Sequence, residues 1–140
     1  MVGRIVRMSR TEQFSACHRL HSKELDDNEN AKLFGKCNNK NGHGHNYKWE
    51  VTIRGAVCEQ TGMVYDLAEL KEAMAAVMET VDHKNLDLDV EYFRSRVSTT
   101  ENLTSYLWSE LEQHLRKPEL LYKITVWETD KNKFTYKREK

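Results

Sequence analysis

The chain has 140 residues, of which 22 are basic, 22 are acidic and six are histidine, so its formal net charge at neutral pH is zero. This length predicts a single domain over residues 1–140 with a modest core. The lack of a positive excess argues against nucleic acid or an anionic membrane as a partner, and no stretch is apolar enough to cross a bilayer. Three irregularly spaced cysteines predict free thiols and a cytoplasmic location.

The N-terminal half predicts two strands separated by a loop. Residues 4–16 predict the first strand, and Phe14, Ala16 and His18 share one of its faces. Residues 22–40 are polar and predict a long loop, which in a compact domain is usually functional. Strict alternation then predicts a second strand buried on one side, whose inner face is His43, His45, Tyr47, Trp49, Val51 and Ile53.

The C-terminal half predicts two helices and a hairpin. Residues 66–81 predict a helix that begins with an N-cap aspartate. A second helix over residues 98–117 begins with a capping box at Ser98 and ends at the only proline. Residues 121–128 and 133–137 predict two strands joined by a turn. The order β-β-α-α-β-β predicts an α+β domain with a four-stranded antiparallel sheet and two helices on one face.

The densest chemical signal lies around His43 and His45. One glycine separates them in a chain that is predicted to be extended, so both imidazoles point to one side and form half of a metal site. His18 supplies a third ligand if the two strands pair, and His21 is the competing candidate. Three neutral imidazoles leave one tetrahedral position of zinc open, as in catalytic sites, although other first-row metals accept the same nitrogens.

Cys37 decides between two kinds of metal site. As a fourth ligand it closes the site, which then stabilises a non-catalytic interaction module. As a free thiol beside a cation it forms a thiolate more readily and serves as a base or nucleophile. The residues alone leave both interpretations open.

Two more places carry candidate catalytic groups. Asp82 next to His83 can orient the imidazole for a proton relay, but an ordinary helix end is an interpretation that the residues alone slightly favour. Glu128 continues an apolar strand face, where a carboxylate needs a partner such as the paired N–H donors of a flat heterocycle. A solvent-exposed strand end is an equally good interpretation of Glu128.

Together these motifs resemble those of the 6-pyruvoyltetrahydropterin synthase family. The resemblance departs at Lys40, where many relatives have proline, and at Cys17, where serine is common. It follows nearly the whole chain in order and is carried by residues 14–21, 34–39, 41–48, 61–64, 67–71, 82–87, 98–102 and 128–130.

The resemblance implies an activity and a set of residue roles. The family converts 7,8-dihydroneopterin triphosphate to 6-pyruvoyl-5,6,7,8-tetrahydropterin with elimination of triphosphate, on the route to tetrahydrobiopterin. It implies zinc as the cofactor, with Mg²⁺ also affecting activity. The implied roles are metal binding by His18, His43 and His45, proton transfer by Cys37, a relay of Asp82 and His83, pterin anchoring by Glu128, and a pocket lined by Thr99 and Thr100.

The resemblance also implies the tunnelling fold and its assembly. Three subunits join their four-stranded sheets into a twelve-stranded barrel, and two trimers stack into a homohexamer in which Asp82 and His83 serve the Cys37 of a neighbour. The related 6-carboxytetrahydropterin synthases are the alternative. They typically have three residues between the cysteine and the His-Gly-His motif, whereas five separate Cys37 from His43, which favours the pyruvoyl enzyme.

Overall fold

The computed structural model describes residues 3–138. Short 3₁₀ turns at Gly35–Asn38, Glu91–Arg94 and Pro118–Leu120 connect the main elements. No helix in this part of the chain is long and apolar enough to cross a membrane. The strands are β1 (Ile5–His18), β2 (His43–Ala56), β3 (Lys84–Asn85), β4 (Leu121–Trp127) and β5 (Lys133–Lys137), and the helices are α1 (Asp27–Phe34), α2 (Leu67–Met78), α3 (Leu86–Asp89) and α4 (Thr100–His114).

The strands form one sheet in the order β3-β1-β2-β4-β5. β1 pairs antiparallel with β2 from end to end, and β2–β4 and β4–β5 are also antiparallel. β3 pairs parallel with β1 at Ala16 and Cys17. The α+β class is confirmed, but the sheet is mixed and has five strands, not four. A strand of two residues has no periodicity that a sequence pattern reveals.

One face of the sheet is apolar and carries the core. The alternation predicted for β2 is confirmed, because Tyr47, Trp49, Val51 and Ile53 are all fully buried. Truncating a buried aromatic side chain such as Trp49 to alanine costs about 3–5 kcal/mol of folding free energy. The two long helices cover this face with the buried side chains Leu70, Ala73, Met74, Val77, Leu103, Leu107 and Leu111.

Residues 22–40 are not the structureless loop that their polarity predicts, since they contain α1. Asp26 and Glu29 start this helix as a capping box, each side chain accepting the backbone N–H of the other. The only buried residue of the helix is Asn30. α1 therefore has no apolar stripe, and stripe-based prediction does not detect it.

Two other boundaries also differ from prediction. α2 ends at Met78 rather than near residue 81. α4 is capped by Thr99, whose hydroxyl accepts the backbone N–H of Asn102. The capping box expected at Ser98 is thus replaced by a simple N-cap one residue later, and the Asn102 side chain bonds the Val97 carbonyl instead.

In the described part of the chain, the opposite face of the sheet carries no helix and both sheet edges are largely open. Within residues 3–138, β1 has an outer partner only at Ala16 and Cys17, and β5 has none. Ile5, Val6 and Tyr136 lie on these edge strands and are exposed. Edges of this kind usually need cover from another element or another chain.

Candidate metal centre and active site

The three histidines predicted as metal ligands meet at one end of the sheet. β1 pairs with β2 so that His18 lies opposite His43 and Ala16 lies opposite His45. One ring nitrogen of each histidine lies within 4.8 Å of the other two. The antiparallel register of two long strands therefore assembles the cluster within one chain.

The surroundings of these imidazoles fit a metal ion. Nδ1 of the buried His18 lies 2.6 Å from the Ser98 carbonyl oxygen, which can only accept, so Nδ1 carries the proton and Nε2 is free to bind. Burial lowers the pKa of His18 and of His45, which favours the neutral form that a metal requires. Nδ1 of His43 is buried and has no hydrogen-bond partner among residues 3–138.

Gly42 allows the ends of β1 and β2 to approach each other. Its φ is 79°, and a Cβ at this position would lie 2.9 Å from the carbonyl oxygen of His18. A side chain here would be strained in its backbone and would also press on the strand that carries the candidate ligand His18. Glycine is therefore needed directly before His43.

Cys37 lies in the 3₁₀ turn beside the end of β1 and is half-buried. Its carbonyl oxygen accepts the backbone N–H of Leu20 at 2.8 Å, and the Arg19 guanidinium donates to the Asn38 carbonyl at 2.9 Å. These bonds fasten the turn to the segment that follows His18. The group of mutually close metal-ligating atoms contains the three histidines and not the Cys37 sulfur.

The competing ligand His21 is engaged elsewhere. Its Nδ1 lies 3.0 Å from the side-chain nitrogen of Asn38, and it does not belong to the histidine cluster. His114 is exposed at the end of α4. Strand pairing thus brings His18, and not His21, to His43 and His45.

Asp82 and His83 follow α2 and are held against β1 at Ser15. The Ser15 N–H donates to Asp82 Oδ1 at 2.9 Å, and its carbonyl accepts the His83 N–H at 2.6 Å. Asp82 Oδ1 lies 3.0 Å from His83 Nδ1. The bond from Ser15, with a contribution from His83, lowers the pKa of Asp82, so the aspartate is ionised and orients the ring.

The backbone of His83 is unusual. Its φ is 61°, a left-handed conformation that is uncommon for a residue with a side chain and that often accompanies function. The side chain is 83% exposed. The two residues therefore form an oriented pair, but the imidazole points away from the body of its own chain.

Glu128 directly follows β4 and is fixed from both sides. The Thr100 hydroxyl donates to its Oε1 at 2.5 Å, and the Asn132 amide donates to its Oε2 at 3.5 Å. Its charge acts on His45, where it opposes the lowering of the pKa by burial. Thr99 instead uses its hydroxyl to cap α4. Glu128 and Thr100 thus lie together beside the histidine cluster.

Two groups at the site were not expected from the sequence. The Ser98 carbonyl orients His18, a role that depends on the path of a loop and has no sequence signal. The hydroxyl of the buried Tyr47 lies 3.5 Å from His18 Nε2. Burial raises the pKa of Tyr47 well above its usual value, so it stays protonated. The alternation of β2 had placed Tyr47 on the same face as His43 and His45, so its position near the cluster could have been predicted.

The fold and the histidine cluster define an α+β protein with a candidate three-nitrogen metal centre. The model of the 6-pyruvoyl tetrahydropterin synthase family matches residues 7–139, and the chain belongs to that family. The 6-pyruvoyl tetrahydrobiopterin synthase of Homo sapiens is 56% identical over 133 residues, which cover 94% of this chain and 91% of the human one.

A solved structure and a more distant relative extend this comparison. The structure of Caenorhabditis elegans 6-pyruvoyl tetrahydropterin synthase matches with a TM-score of 0.97 and 55% identity, covering 99% of both chains. The 6-carboxy-5,6,7,8-tetrahydropterin synthase of Aquifex aeolicus is 28% identical over 160 residues, covering 94% of this chain and 98% of the other. The human and Caenorhabditis elegans proteins are thus about twice as similar in identity as this 6-carboxy relative.

Proposed function

We propose that the chain converts 7,8-dihydroneopterin triphosphate to 6-pyruvoyl-5,6,7,8-tetrahydropterin and releases triphosphate, as a phosphorus–oxygen lyase of tetrahydrobiopterin biosynthesis. The observation that carries this proposal is the cluster of the buried His18 with the half-buried His43 and His45, with Glu128 beside it. The family match and the names of the high-identity relatives support the same reaction.

Zinc is the metal that we propose for the three histidines. Catalytic zinc sites typically have three protein ligands and leave a fourth position for water or substrate, which a set of three imidazole nitrogens can provide. A zinc-binding histidine usually donates its other ring N–H to a carboxylate or a carbonyl, as His18 does to the carbonyl of Ser98. When bound, zinc supplies a Lewis acid that polarises substrate oxygens and acidifies adjacent C–H and O–H bonds. Mg²⁺ prefers oxygen ligands, so its proposed role is with the triphosphate.

The protein groups around the centre have distinct proposed roles. The Cys37 thiolate removes a proton from the substrate side chain, and His83, oriented by Asp82, returns one. Glu128 accepts N–H groups of the pterin with its two oxygens while Thr100 holds one of them. Triphosphate leaves by elimination, and tautomerisation moves hydrogens from the side chain to the ring, so no external reductant is consumed.

The assembly that we propose is a homohexamer of two trimers, with four strands from each of three chains closing a twelve-stranded barrel. The open edges of β1 and β5 and the exposed apolar side chains on them support pairing between copies. The exposed ring of His83 supports a site that is shared between subunits, in which His83 acts with a neighbour's Cys37. The cytoplasm remains the proposed compartment.

Turnover of 7,8-dihydroneopterin triphosphate by the zinc-loaded protein, with products identified by mass spectrometry, tests the proposed reaction. We expect 6-pyruvoyltetrahydropterin and one triphosphate per substrate. A carboxylated pterin with acetaldehyde would instead show the 6-carboxy activity. No turnover at full zinc content would contradict the assigned substrate.

Metal removal separates an enzyme from a zinc-stabilised module. An open catalytic centre predicts an apoprotein that stays folded but inactive, because the core is built from apolar side chains rather than by the metal. Unfolding on chelation, measured by circular dichroism, would favour the structural site.

A further inference from the structure

A group of cations surrounds one tyrosine on the helix-free face of the sheet. Arg7 of β1, Arg54 of β2 and Lys137 of β5 lie with their charged heads 4.5, 5.8 and 5.0 Å from the ring centre of Tyr122. Lys123 lies directly opposite Lys137 in the register. We call these five residues the Tyr122 patch.

The Tyr122 patch is far from the metal centre. Arg7 lies opposite Arg54 near one end of the long β1–β2 pair, whereas His18 lies opposite His43 at the other end. At about 3.3 Å per residue the two places are about 35 Å apart along β1. The patch therefore cannot contribute to the histidine site of its own chain.

The charges of the patch are arranged unfavourably unless something neutralises them. Arg7 faces Arg54 directly across two strands, and Lys123 faces Lys137 across two others. Like charges directly opposite each other destabilise a sheet. Within residues 3–138 none of these four side chains forms an ion pair, although the chain has as many acidic as basic residues. The patch is thus an uncompensated concentration of positive charge in a neutral protein.

Tyr122 adds a directional hydrogen-bonding group. The Arg7 guanidinium donates to its hydroxyl oxygen at 3.2 Å, which leaves the hydroxyl proton free to be donated outward. The hydrogen bond from Lys137 and the neighbouring charges lower the pKa of Tyr122, which reflects the positive field around it. The register between β2 and β4 shifts beside this tyrosine, an irregularity of the kind that re-aims side chains.

We propose that the Tyr122 patch is a second binding site, for a compact anion that carries two or more phosphate groups. The guanidinium carbon of Arg7 and the ammonium nitrogen of Lys137 lie 4.5 and 5.0 Å from the same ring centre and are therefore at most 9.5 Å apart, a gap that a chain of two or more phosphates bridges better than a single phosphate does. Guanidinium groups bind phosphate oxygens through paired hydrogen bonds, and the tyrosine hydroxyl supplies another donor. A single orthophosphate carries too little charge to offset four cations.

Binding of sodium tripolyphosphate to the zinc-loaded protein tests this proposal. Calorimetry and thermal unfolding are compared for wild type, Arg54→Gln and Lys133→Gln, with zinc content checked after each titration. Lys133 lies on the same strand as Lys137 but opposite Trp127, outside the patch, so its variant is a control matched for charge. Arg54→Gln should raise Tm without ligand, because it removes a like-charge pair, yet weaken tripolyphosphate binding about tenfold or more.

The control and the smaller anion complete the test. Lys133→Gln should bind tripolyphosphate within about twofold of wild type, and orthophosphate should bind wild type more weakly than tripolyphosphate. Turnover of Arg54→Gln should remain at the wild-type level, because the patch is remote from the metal centre. Equal tripolyphosphate affinity in wild type and Arg54→Gln would overturn the proposal. So would a Tm shift no larger than that of sodium chloride at the same ionic strength, or equal binding of orthophosphate.

Discussion

The histidine cluster and the Asp82–His83 pair differ in how far a single chain completes them. The cluster is formed by register-matched strands, and its central residue His18 is 2% exposed. The pair is fixed just as firmly to β1, but the His83 side chain is 83% exposed. One chain therefore builds the whole of the candidate metal centre, but only an oriented half of the proposed proton relay, which faces outward.

This difference follows from where each half-site gets its support. The cluster lies on the helix-covered face, where α4 and the preceding loop close over it and Ser98 fixes His18. The pair lies beside β1, where the backbone of Ser15 holds both of its residues and the exposed His83 ring has no such cover. A sheet edge is also where another chain adds most readily. The comparison predicts that changes to the cluster act within one chain, whereas changes to the pair act between chains.

Removing a metal ligand should have the largest effect. His43→Ala should lose zinc and lower turnover by more than about 100-fold, because even changes to groups that only support a metal ligand cost 10- to 100-fold. Zinc content and activity are measured on the same preparation. His114→Ala, an exposed histidine on α4, is the matched control and should keep both. A His43→Ala protein that retains its full zinc content would show that His43 is not a metal ligand.

Removing the relay should lower kcat strongly without touching the metal. His83→Ala should reduce kcat about 100-fold or more, the usual contribution of a positioned acid or base, with zinc content unchanged. Mixing its subunits with those of Cys37→Ala should restore activity, since about a quarter of shared sites then combine two intact halves. Mixed hexamers that stay inactive would show that both groups act within one chain.

Crowding the strand ends should affect stability and metal binding together. Gly42→Ala should cost about 1–2 kcal/mol for its left-handed backbone and more for the contact with the His18 carbonyl oxygen. Gly62→Ala is the matched control, because Gly62 has a φ of 73° but open space around it. Chemical unfolding and zinc titration should show that only Gly42→Ala weakens zinc binding. Equal effects of the two variants on stability and on zinc binding would show that the contact between residue 42 and the His18 carbonyl is unimportant.

The smallest expected effect is a pH-dependent contribution of Asp82 to stability. The lowered pKa of Asp82 means that its stabilising contribution is complete above the ordinary value of 3.8 and is lost as pH falls through the folded-state pKa. The carboxylate is 40% exposed, so the contribution should be below about 1 kcal/mol. Unfolding of wild type and Asp82→Asn should converge as pH falls below 3.8. A difference that grows on acidification would contradict the assigned bond from Ser15.

Much of the fold followed from periodic patterns. The alternation of β2 and the stripes of α2 and α4 reflect burial on one side of each element, and burial of this kind leaves a regular trace in the sequence. α1 and β3 left no periodic trace. α1 buries only Asn30, and its local signal is the capping box of Asp26 and Glu29 rather than an apolar stripe. β3 is two residues long and too short to show a period.

The candidate site likewise combines features that the sequence predicts with features that it does not. His43 and His45 are neighbours on one strand, and their shared direction followed from local geometry alone. His18 required knowledge of pairing, which is why His21 stayed an alternative until the register of β1 and β2 was known. The orientation of His18 by Ser98 and the left-handed backbone of His83 arise from loop paths. No spacing rule in the sequence encodes them.

The most direct test of the central claim, an open metal centre with Cys37 as a separate proton carrier, is the zinc content and turnover of Cys37→Ala. The account predicts a folded protein that keeps its full zinc and loses about 100-fold or more of its activity on 7,8-dihydroneopterin triphosphate. A variant that loses zinc together with activity would show that Cys37 is a fourth ligand, and the open catalytic centre would be contradicted.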